Sequence, residues 1–161
     1  MRRRPALSRA AELRISIKSA FGLASLEPNA VGDEDFVAVK VQVARLDSIV
    51  RDGVTFVKID VGGHELNVLR GAQGVIERCQ PVFLVEAEER HRVGATASIF
   101  DFFRDRNYDG FFLRGRHIVA VDEFDSGADQ DETALLSDGD RQDNFFFFRA
   151  SCDGQGMLAG A

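Results

Sequence analysis

The stretch that most constrains the fold is residues 56–72, which read Phe-Val-Lys-Ile-Asp-Val-Gly-Gly-His-Glu-Leu-Asn-Val-Leu-Arg-Gly-Ala. The short apolar run Phe56, Val57, Lys58, Ile59 stops at Asp60. Two glycines follow, and Leu66, Val68 and Leu69 then recur at helical spacing. That order spells a buried strand, a tight turn and a crossover helix. A chain built on such a unit is expected to be α/β, and in open α/β sheets ligands bind in the crevice outside the carboxyl ends of the strands. Asp60 stands at such an end, so this junction is the first place to look for chemistry.

The rest of the chain can be read outward from it. Pro81 opens a second near-continuous apolar run over 82–86, so that 56–86 forms a strand–helix–strand unit with a right-handed crossover, its helix spanning 64–78. Residues 97–107 predict an amphipathic helix that turns Ile99, Phe100, Phe102 and Phe103 inward, and 110–114 and 116–121 flank Gly115 as an antiparallel hairpin. Four consecutive phenylalanines, Phe145 to Phe148, are too apolar for an exposed edge, which places the strand over 144–149 inside the sheet. Upstream, 13–18 and 37–43 alternate apolar and polar residues as two-faced strands, with a loop over 20–35 between them. Residues 45–51 read as a short helical turn with Asp47 as its candidate N-cap. The total is a mostly parallel sheet that ends in antiparallel strands.

At 161 residues the chain is long enough for one domain with a real core, and 45% hydrophobic with 29% charged residues is ordinary for a globular protein. The net charge of −6 disfavours nucleic acid as a partner. Charge is uneven: arginines crowd residues 1–14, and the segment 122–143 sets Asp122, Glu123, Asp125, Asp129, Asp131, Glu132, Asp138, Asp140 and Asp143 against Arg141 alone. Such blocks read as solvated segments. The organisation expected is a flexible basic leader over 1–12, a domain over 13–149 and a flexible tail over 150–161. Cys79 and Cys152 are far apart in sequence, which argues against a disulfide framework, and no apolar run reaches membrane-spanning length. A cytoplasmic protein with no membrane partner is expected.

Asp60 can hold a cofactor hydroxyl or amine, accept a proton, help bind a metal, or cap the helix that follows it. Gly62 and Gly63 permit positive φ and close approach of a ligand to the backbone. His64 is either a general base or simply the entry to the helix, and Glu65 suits the helix dipole. Glu86 ends the next strand on the same rim as Asp60, and strands about 4.8 Å apart would let the two acids face one crevice. Glu88 and Glu89 read as solvated. His91 and Arg92 lie within reach of the crevice, and His117 reads as structural, in the hairpin. No Gly-x-Gly-x-x-Gly, Walker or Gly-x-Ser-x-Gly pattern is present, and the cysteines lack metal-ligand spacing to the histidines, so no metal is expected.

Three stretches together resemble the FkbM family of methyltransferases: Val-Ala-Arg-Leu-Asp-Ser-Ile at 43–49, the Lys-Ile-Asp-Val-Gly-Gly-His-Glu run from Lys58 through to Ala72, and Pro-Val-Phe-Leu-Val-Glu at 81–86. The turn at Asn107 and Tyr108, the Phe-rich hairpin and the strand led by Asn144 are similar to that family's C-terminal end, so the resemblance runs over 13–149. It implies a Rossmann-like class I methyltransferase fold that uses S-adenosylmethionine to O-methylate a small molecule or sugar hydroxyl. On this reading Asp60, with His64 and Glu86 behind it, is the expected catalytic set, and Asp60, Gly62 and Gly63 are the expected cofactor contacts.

Two departures accompany the resemblance. The family carries an acid where Gly62 stands. Its cofactor-binding opening, a strand followed by an Asp-x-Gly-x-x-x-Gly loop, has no counterpart here, so the domain is expected to be N-terminally truncated. Loss of the first strand would leave an apolar sheet edge beside the Phe56 strand and favour self-association. The alternative expectation is a non-catalytic remnant or interaction module of methyltransferase origin.

Overall fold

The structure, a computed structural model, describes residues 9–16, 24–25, 36–131 and 141–150. Strands β1 (Arg9–Ser16), β2 (Ala24–Ser25) and β3 (Phe36–Val43) form an antiparallel sheet with β1 in the middle. β1 and β3 pair along their whole length, from Arg9 opposite Val43 to Ser16 opposite Phe36. A strand therefore starts within the span expected to be a leader, and Ala24–Ser25 makes a short strand within the expected loop. The remainder of the leader, of that loop and nearly all of the expected tail lie outside the described residues.

The second sheet is built from β4 (Phe56–Ile59), β5 (Val82–Glu86), β6 (Tyr108–Arg114), β7 (His117–Ala120) and β8 (Asn144–Arg149), in the order β4-β5-β8-β6-β7. It is mixed, which corrects the expectation of a mostly parallel sheet. Among the described residues only β4 and β5 pair in parallel; β5–β8, β8–β6 and β6–β7 are antiparallel. The reason is where β8 goes. It inserts between β5 and β6, so those two strands run the same way without touching. The insertion follows from its side chains. Phe145 and Phe147 are fully buried and Phe146 and Phe148 half-buried, so both faces of β8 need cover that an edge could not give.

Helix α4 (Ala95–Arg104) covers one face of this sheet with Ile99, Phe100, Phe102 and Phe103, which meet Phe83, Tyr108, Phe112, Phe145 and Phe147 in one continuous core. Gly110 makes room for that packing, since a Cβ there would stand 2.7 Å from the Phe147 ring.

The helix expected over 64–78 is two helices, α2 (Glu65–Arg70) and α3 (Gln73–Cys79), broken at Gly71 and Ala72. Helix α1 (Leu46–Ile49) holds the joint. The Asp47 N–H donates to the Gly71 carbonyl at 3.0 Å, and the Asp47 carboxylate accepts from the Val75 N–H at 2.9 Å. Asp47 therefore lies inside the first turn of its own helix and caps α3, twenty-eight residues on. The break leaves the first N–H groups of α3 without intrahelical partners, and Asp47 supplies an acceptor for one of them. Asp47→Ala is expected to lower stability by about 0.5–2 kcal/mol, the range for losing a helix cap, read as a shift in urea midpoint with unchanged slope.

Candidate functional site

Strands β4 and β5 end side by side, Ile59 opposite Val85, so the residues that follow them share one rim. There Asp60, Gly62, Glu65, Glu86, Glu88 and His91 line a cleft of about 40 Å³. It lies outside the carboxyl ends of the parallel pair, where the chain turns back into α2 on one side and towards α4 on the other.

Asp60 is half-exposed and takes the Lys58 ammonium at 3.0 Å. It caps no helix; its partner two residues back keeps it on the rim. Gly62 and Gly63 both have positive φ, 54° and 94°, which lets the chain reverse between strand and helix. A Cβ on Gly62 would meet nothing within 4 Å, whereas one on Gly63 would press on the His91 Cβ at 3.2 Å. Glu65 is buried, and its carboxylate accepts from the Gly63 N–H at 2.7 Å, closing the turn from inside. His64 precedes α2, with its Nδ1 3.4 Å from the Asn67 side-chain nitrogen, and is not among the residues lining the cleft.

Glu86 is half-buried on the opposite wall. Burial, then the negative charges of Asp60 and Glu88, push its carboxyl above the ordinary range. An acid raised on folding opposes the folded state once ionised. That opposition is absent below the unfolded value and grows as pH rises through the folded one. Glu86→Gln is therefore expected to stabilise the protein at neutral pH by less than about 1 kcal/mol, because a half-exposed charge is screened. The gain should vanish on acidification to about pH 4, and parallel urea titrations of the two proteins at the two pH values check it.

Glu88 and Glu89 are not solvated, contrary to the expectation from sequence. Glu88 is 5% exposed and accepts from Arg141 at 2.7 Å, from Arg90 at 2.7 Å and from the His91 ring at 3.2 Å. Burial pushes its carboxyl up, but the hydrogen bond from Arg90 and the charges of Arg90, His91 and Arg141 outweigh that and hold it below its ordinary value. Glu89 accepts from the Thr96 N–H at 3.0 Å and from the Gly94 N–H, serving as the cap that α4 lacks at Gly94 itself.

Part of the acidic segment that read as solvated is anchored here too. Arg141 bridges Glu88 and Asp143. Asp129, at the end of α5 (Ser126–Asp129), takes Arg114 at 2.8 Å, and Gln130 donates to the carbonyls of Ala87 and Gln142 while accepting from the Glu89 N–H. Residues 132–140 of that segment lie outside the described residues. Among the described residues no group of His, Cys, Asp and Glu is arranged to hold a metal ion, and no helix is long and apolar enough to cross a membrane.

Against known families, the methyltransferase FkbM domain matches residues 7–109, well over half of the chain. The chain belongs to the FkbM methyltransferase family. Every residue lining the cleft falls inside the FkbM match, which also takes in β1 through α4 and the start of β6. The strands β7 and β8, with α5 between them, lie beyond it, so the resemblance read over 13–149 extends further than the match. No curated protein and no solved structure matches the chain.

Proposed function

We propose that this FkbM-family chain takes part in S-adenosylmethionine-dependent methyl transfer to a hydroxyl of a small molecule or sugar, at the cleft between the ends of β4 and β5. The observation that carries the reading is the acidic rim, Asp60, Glu65, Glu86 and Glu88, at the carboxyl ends of a parallel strand pair within the FkbM match. When bound, S-adenosylmethionine supplies a sulfonium methyl, the new O–C bond taking its electron pair from the acceptor oxygen and the broken S–C bond leaving its pair on sulfur. The carboxylates suit a sulfonium and an ammonium electrostatically. A cleft of about 40 Å³ accepts the reacting end alone, since whole-ligand sites run to roughly 300–1,000 Å³.

In this reading Asp60 and Glu86 hold the cationic end, while Gly62, with no side chain and open space where a Cβ would stand, leaves the rim clear on one side. The class I Rossmann-like fold is the matching proposal for the architecture, supported by the β4–α2–α3–β5 unit and by β6 running parallel in direction to β5. A cytoplasmic setting is proposed with it, in keeping with Cys79 as a free thiol. Titration calorimetry of the chain with S-adenosylmethionine and with its demethylated product tests the assignment. Saturable heat at micromolar ligand is expected, and none at millimolar ligand would sink it.

A second reading, an interaction module of methyltransferase origin, is favoured by one observation. β4 is the end of its sheet among the described residues, with Phe56 53% exposed beside its unpaired edge. Sedimentation separates the two, because a module that pairs through β4 should self-associate in a way that Phe56→Lys abolishes.

A further inference from the structure

The FkbM signature accounts for the Asp60 turn and for Glu86. It leaves unexplained why Glu88, a buried acid on the cleft wall, holds an imidazole that lines the same cleft. His91 is fixed twice. Its N–H donates to the Glu88 carbonyl at 3.2 Å, closing a turn, and its ring Nε2 lies 3.2 Å from the Glu88 carboxylate. The absence of a side chain on Gly63 leaves space for it, since a Cβ there would crowd the His91 Cβ. Glu88 in turn is gripped from behind by Arg141, itself 7% exposed in its side chain, and from the side by Arg90.

We propose that His91 is the general base of this cleft and that Glu88 is the positioning residue that sets its tautomer. The inference rests on the reading of the cleft as a methyl-transfer site. A carboxylate that faces Arg90 and Arg141 is ionised and can only accept, so the ring contact requires a proton on Nε2. In the neutral ring Nδ1 then carries the lone pair. An acceptor O–H in the cleft gives its proton to Nδ1, and the oxygen keeps the electron pair with which it bonds the incoming methyl carbon. The imidazolium so formed sits against Glu88, with Asp60, Glu65 and Glu86 on the other walls to stabilise its charge. Asp60 is the weaker candidate for this step because Lys58 already holds it at 3.0 Å.

Two measurements on the full chain test the assignment. The first is nitrogen-15 NMR of the histidine rings with no ligand added, followed over a pH titration to where the rings are neutral. Wild type should show His91 protonated at Nε2 with a bare Nδ1, and Glu88→Gln should relax it towards the mixture of a free imidazole. A proton on Nδ1 in wild type, or an unchanged tautomer in Glu88→Gln, overturns the role of Glu88. The second is release of S-adenosylhomocysteine from S-adenosylmethionine with a panel of monosaccharides and simple glycosides as hydroxyl probes. His91→Gln should lower kcat by about 100-fold or more with little change in KM, and Glu88→Gln should lower it by less. Product from wild type with His91→Gln within threefold of it overturns the base assignment alone. No product from wild type with any probe overturns the methyl-transfer reading, and the base with it, whatever the tautomer.

Discussion

Replacing Arg141 by methionine is expected to cost about 3–5 kcal/mol, the range for removing one partner of a buried ion pair. Arg141 donates from Nη2 to Glu88 at 2.7 Å and from Nε to both oxygens of Asp143 at 2.8 Å, and its side chain is almost wholly enclosed. Without it, Glu88 remains buried with Arg90 and His91, which keeps the loss towards the lower end of that range. Its carboxyl is held low in the folded protein, so the stability it confers is present above the unfolded value and is lost as pH falls through the folded one. The gap between wild type and Arg141→Met should therefore narrow on acidification. Asp143 is raised by burial, but Arg141 favours its ionised form too, so its loss of that partner adds to the same narrowing. The double variant Glu88→Gln with Arg141→Met should recover part of the loss, because Glu88 is then no longer a buried charge short of a partner, although Asp143 still loses Arg141. Urea unfolding of the three variants and wild type at neutral and acidic pH checks both statements.

The second large effect is expected at Phe103. Its ring is fully buried, stacked on Phe147 at a centroid distance of 4.0 Å and tilted against Phe83 at 5.0 Å and Tyr108 at 5.4 Å. Phe103→Ala removes the residue that ties α4 to three strands and should cost about 3–5 kcal/mol, a large share of a typical domain's stability. Phe103→Leu keeps most of the volume and loses the ring geometry, so a cost of roughly 1–2 kcal/mol is expected. Thermal or urea unfolding resolves the two. Equal losses from both would mean that the ring contacts, rather than filled volume, hold the helix down.

How far the sequence foretold this arrangement depended on whether the signal was local. The strand ending at Asp60, the turn at Gly62 and Gly63 and the apolar strand 82–86 were legible because each is a run of residues with a clear period. The place of β8 inside the sheet followed from Phe145 to Phe148 alone. Its direction did not, since nothing local says which neighbour a strand pairs with, and the sheet came out mixed. The break between α2 and α3 was hidden because Asp47, which caps the second helix, lies far away in sequence. The same holds for the rim. Glu88 and Glu89 read as solvated acids until Arg141, Gln130 and the start of α4 are brought to them by the fold. The pairings of Glu88 with Arg90 and His91, two and three residues on, were local traces of that network, and the i, i+3 spacing of His91 in a turn is a signal that could have shown it.

The most direct test of the central claim is amide shift mapping of the nitrogen-15-labelled chain during titration with S-adenosylmethionine. The account predicts saturable shifts centred on Gly62, Gly63, Glu65 and His91, the residues on and beside the cleft between β4 and β5. Shifts confined to other parts of the chain, or none at millimolar ligand, would contradict it.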